Sequence, residues 1–334
     1  MIKVKKNMKE GVRTIDLFAG VGGIRLGFEK AGFKTKYAND FNKLCKNTYD
    51  ANHAEPKLHI EDIRKIDIGA LPEFDVLLGG FPCQPFSVAG YRQGFKDEKD
   101  RGNLFFKIVD ILKERRPKAV MLENVKNLRG HDKGNTFKVI KAELEKLGYH
   151  IKAEVLNGMT HGNVPQNRER IFIVGFLDKK QADNFTFPEP KKLTKSFKEF
   201  VAGEADNKYY YNDKPLYKRI KNDINSEDTV YQWRRKYVRA NKKGVCPTLT
   251  ANMGRGGHNV PIIKNGKGLR KLTPKECFML QGFPSNFKLP SELSDSELYH
   301  QAGNSVVVPV VERIAEYMMA TLNGERLNPQ TSLN

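Results

Sequence analysis

The chain has 334 residues, and its 58 Lys and Arg against 39 Asp and Glu give a formal net charge of +19. Hydrophobic residues make up 39% of the sequence and include 20 Phe and 12 Tyr, which excludes a disordered or collagen-like chain. Neither an apolar run of about 18 residues nor an apolar segment behind the basic N-terminus is present, so we expect a soluble intracellular protein without a membrane span or signal peptide. The charge favours a polyanionic partner such as nucleic acid, although a solvated basic surface has the same composition.

The four cysteines, Cys45, Cys83, Cys246 and Cys277, stand far apart in the sequence. This spacing fits neither a disulfide framework nor the paired ligands of a zinc site. We therefore expect no metal site, and a cysteine with a function should act as a free thiol.

Short apolar runs alternate with helical patterns from residue 14 to residue 176. The alternation predicts an α/β fold with a doubly wound, mostly parallel sheet, whose functional loops follow the carboxyl ends of the strands. The strands are predicted at residues 14–18, 35–38, 76–78, 119–122 and 171–176, and helical periods cover residues 104–112 and 137–147.

From residue 177 to about residue 270 the sequence is polar and has no clear helical period, which predicts a smaller, β-rich or irregular domain. Between residues 232 and 270 there are ten Lys and Arg and no Asp or Glu. The basic, aromatic and glycine residues of this segment are typical of loops that touch phosphates and base edges, although a solvated domain without a partner remains open. Residues 308–322 predict a terminal helix that returns to the sheet, so the polar segment is an insertion.

A glycine-rich turn follows the first predicted strand at residues 16–23, where backbone can approach a ligand at a helix N-terminus. It is not a dinucleotide fingerprint, because Arg25 stands where the third glycine would fall, and it is not a P-loop. Asp40 with Phe41, and then Asp62, follow the next strands. Each acid alone is also typical of a helix cap, but the series predicts an adenosine-containing cofactor without a pyrophosphate.

Further candidates follow the later strands. Cys83 lies between prolines on a loop after residues 76–78, where a lone cysteine is also typical of a small buried residue. Glu123 ends the next predicted strand, and residues 165–170 precede another one. Each of these is also compatible with an ordinary surface feature.

Together these segments resemble the DNA (cytosine-5)-methyltransferases of bacterial restriction–modification systems. The resemblance covers nearly the whole chain except about residues 177–268, where the family places its variable target-recognition domain. It implies a sheet of the S-adenosylmethionine-dependent methyltransferase type. The matching segments are DLFAGVGG (residues 16–23), NDFN (39–42), GGFPCQPFS (79–87), RGNLFF (101–106), ENV (123–125), QNRER (166–170), RKLTPKECFMLQGFP (270–284) and QAGNSVVVPV (301–310).

The resemblance implies covalent catalysis on a cytosine that is flipped out of duplex DNA. Cys83 matches the nucleophile that attacks C6, and the methyl group is then transferred to C5. Glu123 matches the carboxylate that holds N3 and the exocyclic amine, a role that requires a raised pKa. Arg168 matches the arginine that contacts the base O2, and Arg170 matches the one that supports the site.

The implied cofactor is S-adenosyl-L-methionine, with S-adenosyl-L-homocysteine as product. By the same match, Asp40 would bind the ribose and Phe41 would stack on the adenine. These two residues replace a Glu-Trp pair that is common in relatives, so the acid is shorter and the stacking face is smaller. The full set of candidate cofactor residues is Phe18, Gly20, Gly22, Gly23, Asp40, Phe41, Asp62, Ile63, Leu104, Asn304 and Val306.

Double-stranded DNA is the expected partner. In the family the loop that carries the cysteine closes over the DNA, which here is about residues 86–99. Most base-reading residues should lie within residues 232–258, and at least half of the basic candidates should bind only phosphate. The candidate DNA-binding residues are Ser87, Arg92, Gln232, Arg234, Arg235, Arg239, Arg255 and His258.

The predicted division is a catalytic and cofactor-binding domain (residues 1–182), a target-recognition domain (183–270), a hinge (271–300) and a C-terminal segment that returns to the catalytic domain (301–334). From the length we expect no large regulatory domains. We expect a monomer in the prokaryotic cytoplasm, associated with the nucleoid. A cognate restriction endonuclease should share the DNA site without binding this protein.

Three other functions share part of this sequence pattern. A tRNA cytosine-5 methyltransferase would use the same chemistry, but those relatives carry Cys-Phe-Thr, whereas here Cys277-Phe278 is followed by Met279. A catalytically silent DNA-binding scaffold would share the fold, but all four predicted catalytic residues are present. A nicotinamide oxidoreductase fits less well because the fingerprint glycine is missing.

Overall fold

The computed structural model describes residues 11–82, 103–241, 244–254 and 260–327. Within these ranges no helix is long and apolar enough to cross a membrane, and no group of three or more His, Cys, Asp or Glu could hold a metal ion. The predicted site residues outside the described ranges are Cys83, Ser87, Arg92, Arg255 and His258.

The described residues form a large sheet with the strand order β3-β2-β1-β4-β5-β8-β6. The first five strands in this order pair in parallel, as predicted. The strands are β1 (Arg13–Leu17), β2 (Lys34–Asp40), β3 (His59–Ile60), β4 (Val76–Gly79), β5 (Ala119–Val125), β6 (His150–Asn157) and β8 (Glu169–Phe176), with β7 (Gln166–Asn167) outside this sheet.

The direction of β8 corrects the prediction that placed residues 171–176 among the parallel strands. β8 runs antiparallel to both β5 and β6, which it separates. Residues 158–168, which join β6 to β8, are fewer than the dozen or so that a parallel crossover requires, so β8 must return beside β6 in the opposite direction.

Helices cover both faces of the sheet and create two separate cores. On one face Phe28 and Ile314 belong to a cluster that also includes Val76 and Leu78 of β4. On the other face the intervening Leu77 packs with the helices that follow β4 and β5. The helices are α1 (Gly23–Lys30), α2 (Lys43–Asn52), α3 (Asn103–Arg115), α4 (Asn135–Lys146), α5 (Gly158–His161), α6 (Lys179–Asn184), α7 (Tyr217–Ile220), α8 (Pro274–Met279), α9 (Asp295–Asn304) and α10 (Val308–Leu322).

Helix α10 has the predicted bounds and packs against α1, so the polar segment before it is an insertion, as expected. The insertion contains a small antiparallel sheet with its own apolar cluster, which includes Tyr231 and Trp233. The predicted combination of a mostly parallel sheet with a smaller β-rich unit is therefore confirmed. The strands of this unit, in the order β10-β9-β12-β13, are β9 (Val230–Trp233), β10 (Val238–Asn241), β12 (Ile262–Asn265) and β13 (Gly268–Lys271).

The insertion is also joined to the large sheet region by a short pair of strands. Strand β11 (Cys246–Pro247) pairs in parallel with β7 (Gln166–Asn167), and the backbone N–H of Cys246 donates to the Pro165 carbonyl at 2.7 Å. The insertion is thus attached through backbone hydrogen bonds next to the segment that leads into β8.

The parallel register brings the ends of several strands to one edge of the sheet. Leu17 pairs with Asn39 of β2 and with Gly79 of β4, and Asp40 pairs with Ile60 of β3. The loops after these strands therefore converge at the edge where the functional site was predicted.

We predict that Gly27→Ala destabilises the contact between α1 and α10. An added Cβ would lie 2.7 Å from Val311 Cγ1 and 2.8 Å from the backbone nitrogen of Glu312. Overpacking of this kind costs about 1–3 kcal/mol, which exceeds the gain of about 1 kcal/mol in helix propensity. Urea denaturation should show a lower free energy of unfolding.

The matched control is Gly203→Ala, because an added Cβ there meets no heavy atom within 4 Å. Its free energy of unfolding should stay within about 0.5 kcal/mol of the starting protein. Equal stability of the two variants would contradict the proposed close packing at Gly27.

Candidate active site

The turn after β1 adopts a backbone conformation that few sequences accept. Phe18, Gly20 and Gly22 have φ values of 56°, 54° and 83°, in the left-handed region. Phe18 is not a glycine, so its conformation is strained, a feature that is concentrated at ligand sites. An added Cβ on Gly22 would lie 2.2 Å from His53 Nε2, so a glycine is required at this position.

The carboxylate of Asp40 holds this turn from the end of β2. Its Oδ2 accepts a hydrogen bond from the Gly20 backbone N–H at 2.8 Å, and its Oδ1 accepts one from the Asn42 backbone N–H at 2.8 Å. Burial raises the pKa of Asp40, and the two N–H groups act in the opposite direction. The neighbouring Phe41 is 74% exposed, so its ring is free to stack on a flat ligand.

A cavity of about 650 Å³ opens at this edge of the sheet, and we call it the sheet-edge cavity. Its size lies in the range of cofactor sites. All predicted cofactor residues except Gly22 line it, which is the predicted convergence. They are Phe18, Gly20, Gly23, Asp40, Phe41, Asp62, Ile63, Leu104, Asn304 and Val306.

The acids of the sheet-edge cavity suit a ligand that carries hydroxyl groups and positive charge. Asp40 and Asp62 are carboxylates at the cavity wall, although the protein as a whole carries +19. Acids of this kind can accept from ribose hydroxyls and complement a ligand with ammonium and sulfonium charges. Arg64, which the sequence did not single out, also lines the cavity and forms an ion pair with Asp62.

The sheet-edge cavity also contains three of the predicted catalytic residues, Glu123, Arg168 and Arg170. Glu123 lies within β5 rather than after it, because the strand extends beyond its predicted end. Arg170 Nε lies 3.1 Å from Glu123 Oε1. Burial raises the pKa of Glu123, although the charges of Arg170 and Arg168 lower it.

Arg168 has a different environment from Arg170. It is 2% exposed, and its guanidinium donates to the carbonyls of Leu249 (2.6 Å), Gly303 (3.0 Å) and Ser305. Burial lowers the pKa of Arg168, the charge of Arg170 acts in the same direction, and Glu123 opposes them. The three carbonyl oxygens are therefore what stabilises this buried cation.

Gln166 makes a second set of buried contacts beside Arg168. Its Oε1 accepts from the Leu249 backbone N–H at 3.2 Å, and its Nε2 donates to the Leu280 carbonyl at 2.6 Å. Gln281 Nε2 continues the network by donating to the Ala302 carbonyl at 2.8 Å. The QNRER segment thus joins the insertion to the segment before α9 and, through Gln281, to α9 itself.

A second cavity, of about 760 Å³, lies between the β9–β10 hairpin and the segments around Asn167 and Thr250. We call it the hairpin cavity. Of the predicted DNA-binding residues in the hairpin, Gln232, Arg234 and Arg239 line it and Arg235 does not. The lining also includes Met159, Ala240, Asn241, Val245, Cys246, Pro247, Thr248 and Asn252.

The hairpin has one apolar and one basic face. Tyr231, Trp233 and Val238 pack into the apolar cluster of the small sheet. Gln232 and Arg239 are directly opposite each other in the strand pair, so both point to the other face, into the hairpin cavity.

The arginines of the hairpin have no carboxylate partner among the residues that the structure describes. Arg234, Arg235 and Arg239 are exposed, and none of them forms an ion pair with a residue of the described ranges. In contrast, Arg13, Arg115 and other arginines of the large sheet region have carboxylate partners. Unpaired cations at a cavity favour an anionic ligand.

A family model described as C-5 cytosine-specific DNA methylase matches residues 12–320. The chain belongs to the C-5 cytosine-specific DNA methylases. Type II methyltransferase M.Bsp6I of Bacillus sp. (strain RFL6) is 56% identical over 310 residues, covering 91% of this chain and 98% of that protein. Type II methyltransferase M.HhaI of Haemophilus parahaemolyticus is 36% identical over 341 residues, covering 97% and 99%.

Solved structures share the fold of this C-5 cytosine-specific DNA methylase. A Spodoptera frugiperda DNMT2 mutant superimposes with a TM-score of 0.72 at 21% identity and covers 92% of this chain and 99% of its own. A prophage-encoded DNA modification methyltransferase from E. coli gives a TM-score of 0.68 at 21% identity, with coverage of 93% and 99%. The methyltransferase type of sheet implied by the sequence is therefore confirmed.

The acid that begins the DLFAGVGG segment lies in β1, just before the glycine-rich turn. Asp16 is fully buried in β1, and neither carboxylate oxygen has a hydrogen-bond partner within 3.5 Å among the described residues. Burial raises the pKa of Asp16 to about 7, although the charge of Arg25 lowers it. The carboxyl of Asp16 is thus mostly neutral below about pH 7.

We predict that Asp16→Asn changes the pH dependence of stability. Between the ordinary value of 3.8 and about 7, the folded protein keeps a proton that the unfolded chain loses, so wild-type stability falls as pH rises. The amide cannot ionise and lacks this loss. Urea unfolding should show the variant gaining about 2–4 kcal/mol on the wild type from pH 4 to pH 7.5.

The stability gained by Asp16→Asn relative to the wild type should level off above pH 7.5, since the Asp16 carboxyl is then ionised in both the folded and the unfolded wild type. Parallel stability curves for the two proteins would contradict a neutral buried Asp16.

Proposed function

We propose that this protein is a sequence-specific DNA cytosine-5 methyltransferase of a restriction–modification system, with S-adenosyl-L-methionine as methyl donor. The observation that carries the proposal is the pairing of Glu123 with Arg170 inside the sheet-edge cavity, beside a set of acids suited to the cofactor. The 56% identity to a type II methyltransferase supports the biological role.

The cofactor would occupy the sheet-edge cavity and supply an electrophilic methyl group. Asp40 would bind the ribose, Phe41 would stack on the adenine, and Asp62 would lie at the adenine edge. The turn at Gly20 would lie beside the methionine part, where the absence of a side chain on Gly20 leaves room.

Glu123 and Arg170 would hold the cytosine. A neutral Glu123 carboxyl can donate to N3, and burial favours that form. Arg170 touches Glu123 and can donate to the base O2, whereas Arg168 already donates to three carbonyls. We therefore reverse the roles expected from the sequence and propose Arg170 as the base contact and Arg168 as the support.

Cys83, outside the described residues, would act as the nucleophile. Its thiolate forms a bond from Sγ to C6, which makes C5 electron-rich. C5 accepts the methyl group; loss of the C5 proton then restores the double bond and breaks the bond to Sγ. These steps require the cytosine to leave the duplex, at a cost of a few kcal/mol.

The hairpin cavity would receive the DNA next to the sheet-edge cavity. Its unpaired arginines suit phosphates or guanine O6 and N7, and Gln232 suits a base edge. Ser87, Arg92, Arg255 and His258, outside the described residues, remain proposed DNA contacts.

We further propose that the chain is divided into four parts at residues 182, 270 and 300 and that the protein is a monomer. Its proposed location is the prokaryotic cytoplasm, at the nucleoid. A restriction endonuclease would share the DNA site without binding the methyltransferase.

We predict that Cys83→Ser abolishes methyl transfer to DNA, because a hydroxyl is a much weaker nucleophile than a thiolate. The measurement uses tritiated S-adenosylmethionine and unmethylated genomic DNA, followed by bisulfite sequencing. The wild type should label C5 of cytosine within one short motif.

The matched control is Cys277→Ser, at a buried thiol that lines neither cavity and whose pKa is raised by burial. It should retain labelling of the same motif. If RNA is labelled and DNA is not, the substrate is RNA and the proposed DNA substrate is wrong. If the protein binds the cofactor but labels neither, it is a catalytically silent scaffold.

We predict that Arg239→Ala and Arg235→Ala have different effects on sequence preference. Arg239 lines the hairpin cavity beside Gln232, so its loss should relax the preference at one base pair by about 1–3 kcal/mol. Arg235 lies outside the cavity lining, so its loss should weaken binding to all sites alike and reduce the salt slope by about 1.

The measurement is the methylation rate across single-base variants of the mapped motif, together with binding at several salt concentrations. A uniform loss of rate for Arg239→Ala would show that Arg239 contacts only phosphate. Unchanged rate and preference in both variants would contradict the placement of the DNA at this hairpin.

A further inference from the structure

The sheet-edge cavity and the hairpin cavity share a wall made of two backbone segments. Residues 249–252 contribute Thr250 and Asn252 to the hairpin cavity. Residues 300–305 contribute Gly303 and Ser305 to the sheet-edge cavity. The wall therefore has one segment facing each proposed ligand.

The two segments are in direct backbone contact. An added Cβ on Gly303 would lie 2.2 Å from the carbonyl carbon of Thr250 and 2.5 Å from the backbone nitrogen of Ala251. His300 Nδ1 lies 2.7 Å from the Ala251 carbonyl oxygen. Because no flexible side chain separates the segments at Gly303, a displacement of one must displace the other.

Arg168 holds both segments with a single rigid group. Its Nη1 donates to Leu249 at 2.6 Å, and its Nη2 donates to Gly303 at 3.0 Å and to Ser305. The guanidinium is planar, so its donors cannot move independently. Arg168 also faces the sheet-edge cavity, where it lies near Glu123 and Arg170.

We propose that Arg168 is a positioning residue that couples DNA binding in the hairpin cavity to cofactor binding in the sheet-edge cavity. DNA that fits the hairpin cavity fixes residues 249–252, and the guanidinium and the Gly303 contact then fix residues 300–305 around the cofactor. The proposal rests on the proposed function, since it assigns DNA and the cofactor to the two cavities.

The coupling must be reciprocal. If DNA strengthens cofactor binding by a given factor, the cofactor strengthens DNA binding by the same factor. When two sites are coupled, one ligand typically changes the affinity for the other by at least about fivefold, and we expect the wild type to show at least this factor. Arg168→Lys keeps the charge, but all its donors lie on one nitrogen and cannot span the carbonyls that Nη1 and Nη2 of Arg168 reach separately, so its factor should fall below about twofold.

The experiment measures DNA affinity by fluorescence anisotropy with and without S-adenosylhomocysteine. The probe is a fluorescein-labelled duplex that carries the motif mapped with the wild type. The cofactor affinity, measured by calorimetry with and without the same unlabelled duplex, must give the same factor. A purely structural role of Arg168 would lower stability or both affinities and leave this ratio unchanged.

Arg313→Lys is the matched control. Arg313 also donates to backbone carbonyls, those of His161 and Glu189, at 2.9 Å each. The Nε atoms of Arg168 and Arg313 both have no hydrogen-bond partner among the described residues. Arg313 lines neither cavity, so Arg313→Lys should keep the wild-type factor.

If Arg168→Lys does not fold, His300→Leu replaces it, because this variant removes the hydrogen bond to Ala251 and should also reduce the factor. Three results would overturn the proposal. The wild type could show a coupling factor near one, or Arg168→Lys (or its replacement) could keep the coupling factor of the wild type. Arg313→Lys could also lose as much of the coupling factor as Arg168→Lys does. Such results would leave DNA methylation by the wild type intact, whereas failure of the proposed function would appear as DNA without methyl groups.

Discussion

The buried guanidinium of Arg168 is the interaction on which the site depends. A charge removed from water is costly unless its donors are satisfied, and here the acceptors are carbonyls from Leu249, Gly303 and Ser305. These carbonyls belong to the inserted unit and to the chain that returns from it. The cost of burying the charge is therefore offset only when those parts of the chain are assembled together, and the same assembly forms the wall between the cavities.

Charge is distributed in opposite ways around this wall. The acids of the sheet-edge cavity, Asp40, Asp62 and Glu123, are held by backbone N–H groups or arginines. The hairpin cavity carries exposed arginines without carboxylate partners in the described chain. A net charge of +19 thus does not describe either site, because each cavity has its own local electrostatics.

Much of this arrangement was predictable because strand ends converge in a parallel sheet. The residues at the ends of β1, β2 and β3 could be assigned to one edge of the sheet from their positions in the sequence alone. Strand β6 was missed because it is a half-exposed strand whose Lys152 and Glu154 interrupt the apolar signal. The separate roles of Arg168 and Arg170 could not be predicted either, since their acceptors come from distant parts of the chain.

The packing of α10 on α1 has a consequence for the order in which the protein is made. Helix α1 leaves the ribosome early, but the apolar surface beneath it is completed only by the last long helix of the described chain. Until then Phe28 and its neighbours lack Val311 and Ile314, their partners in the core. One face of the large sheet must remain without this helix throughout synthesis of the insertion, and during that time the nascent chain presents apolar surface that chaperones recognise.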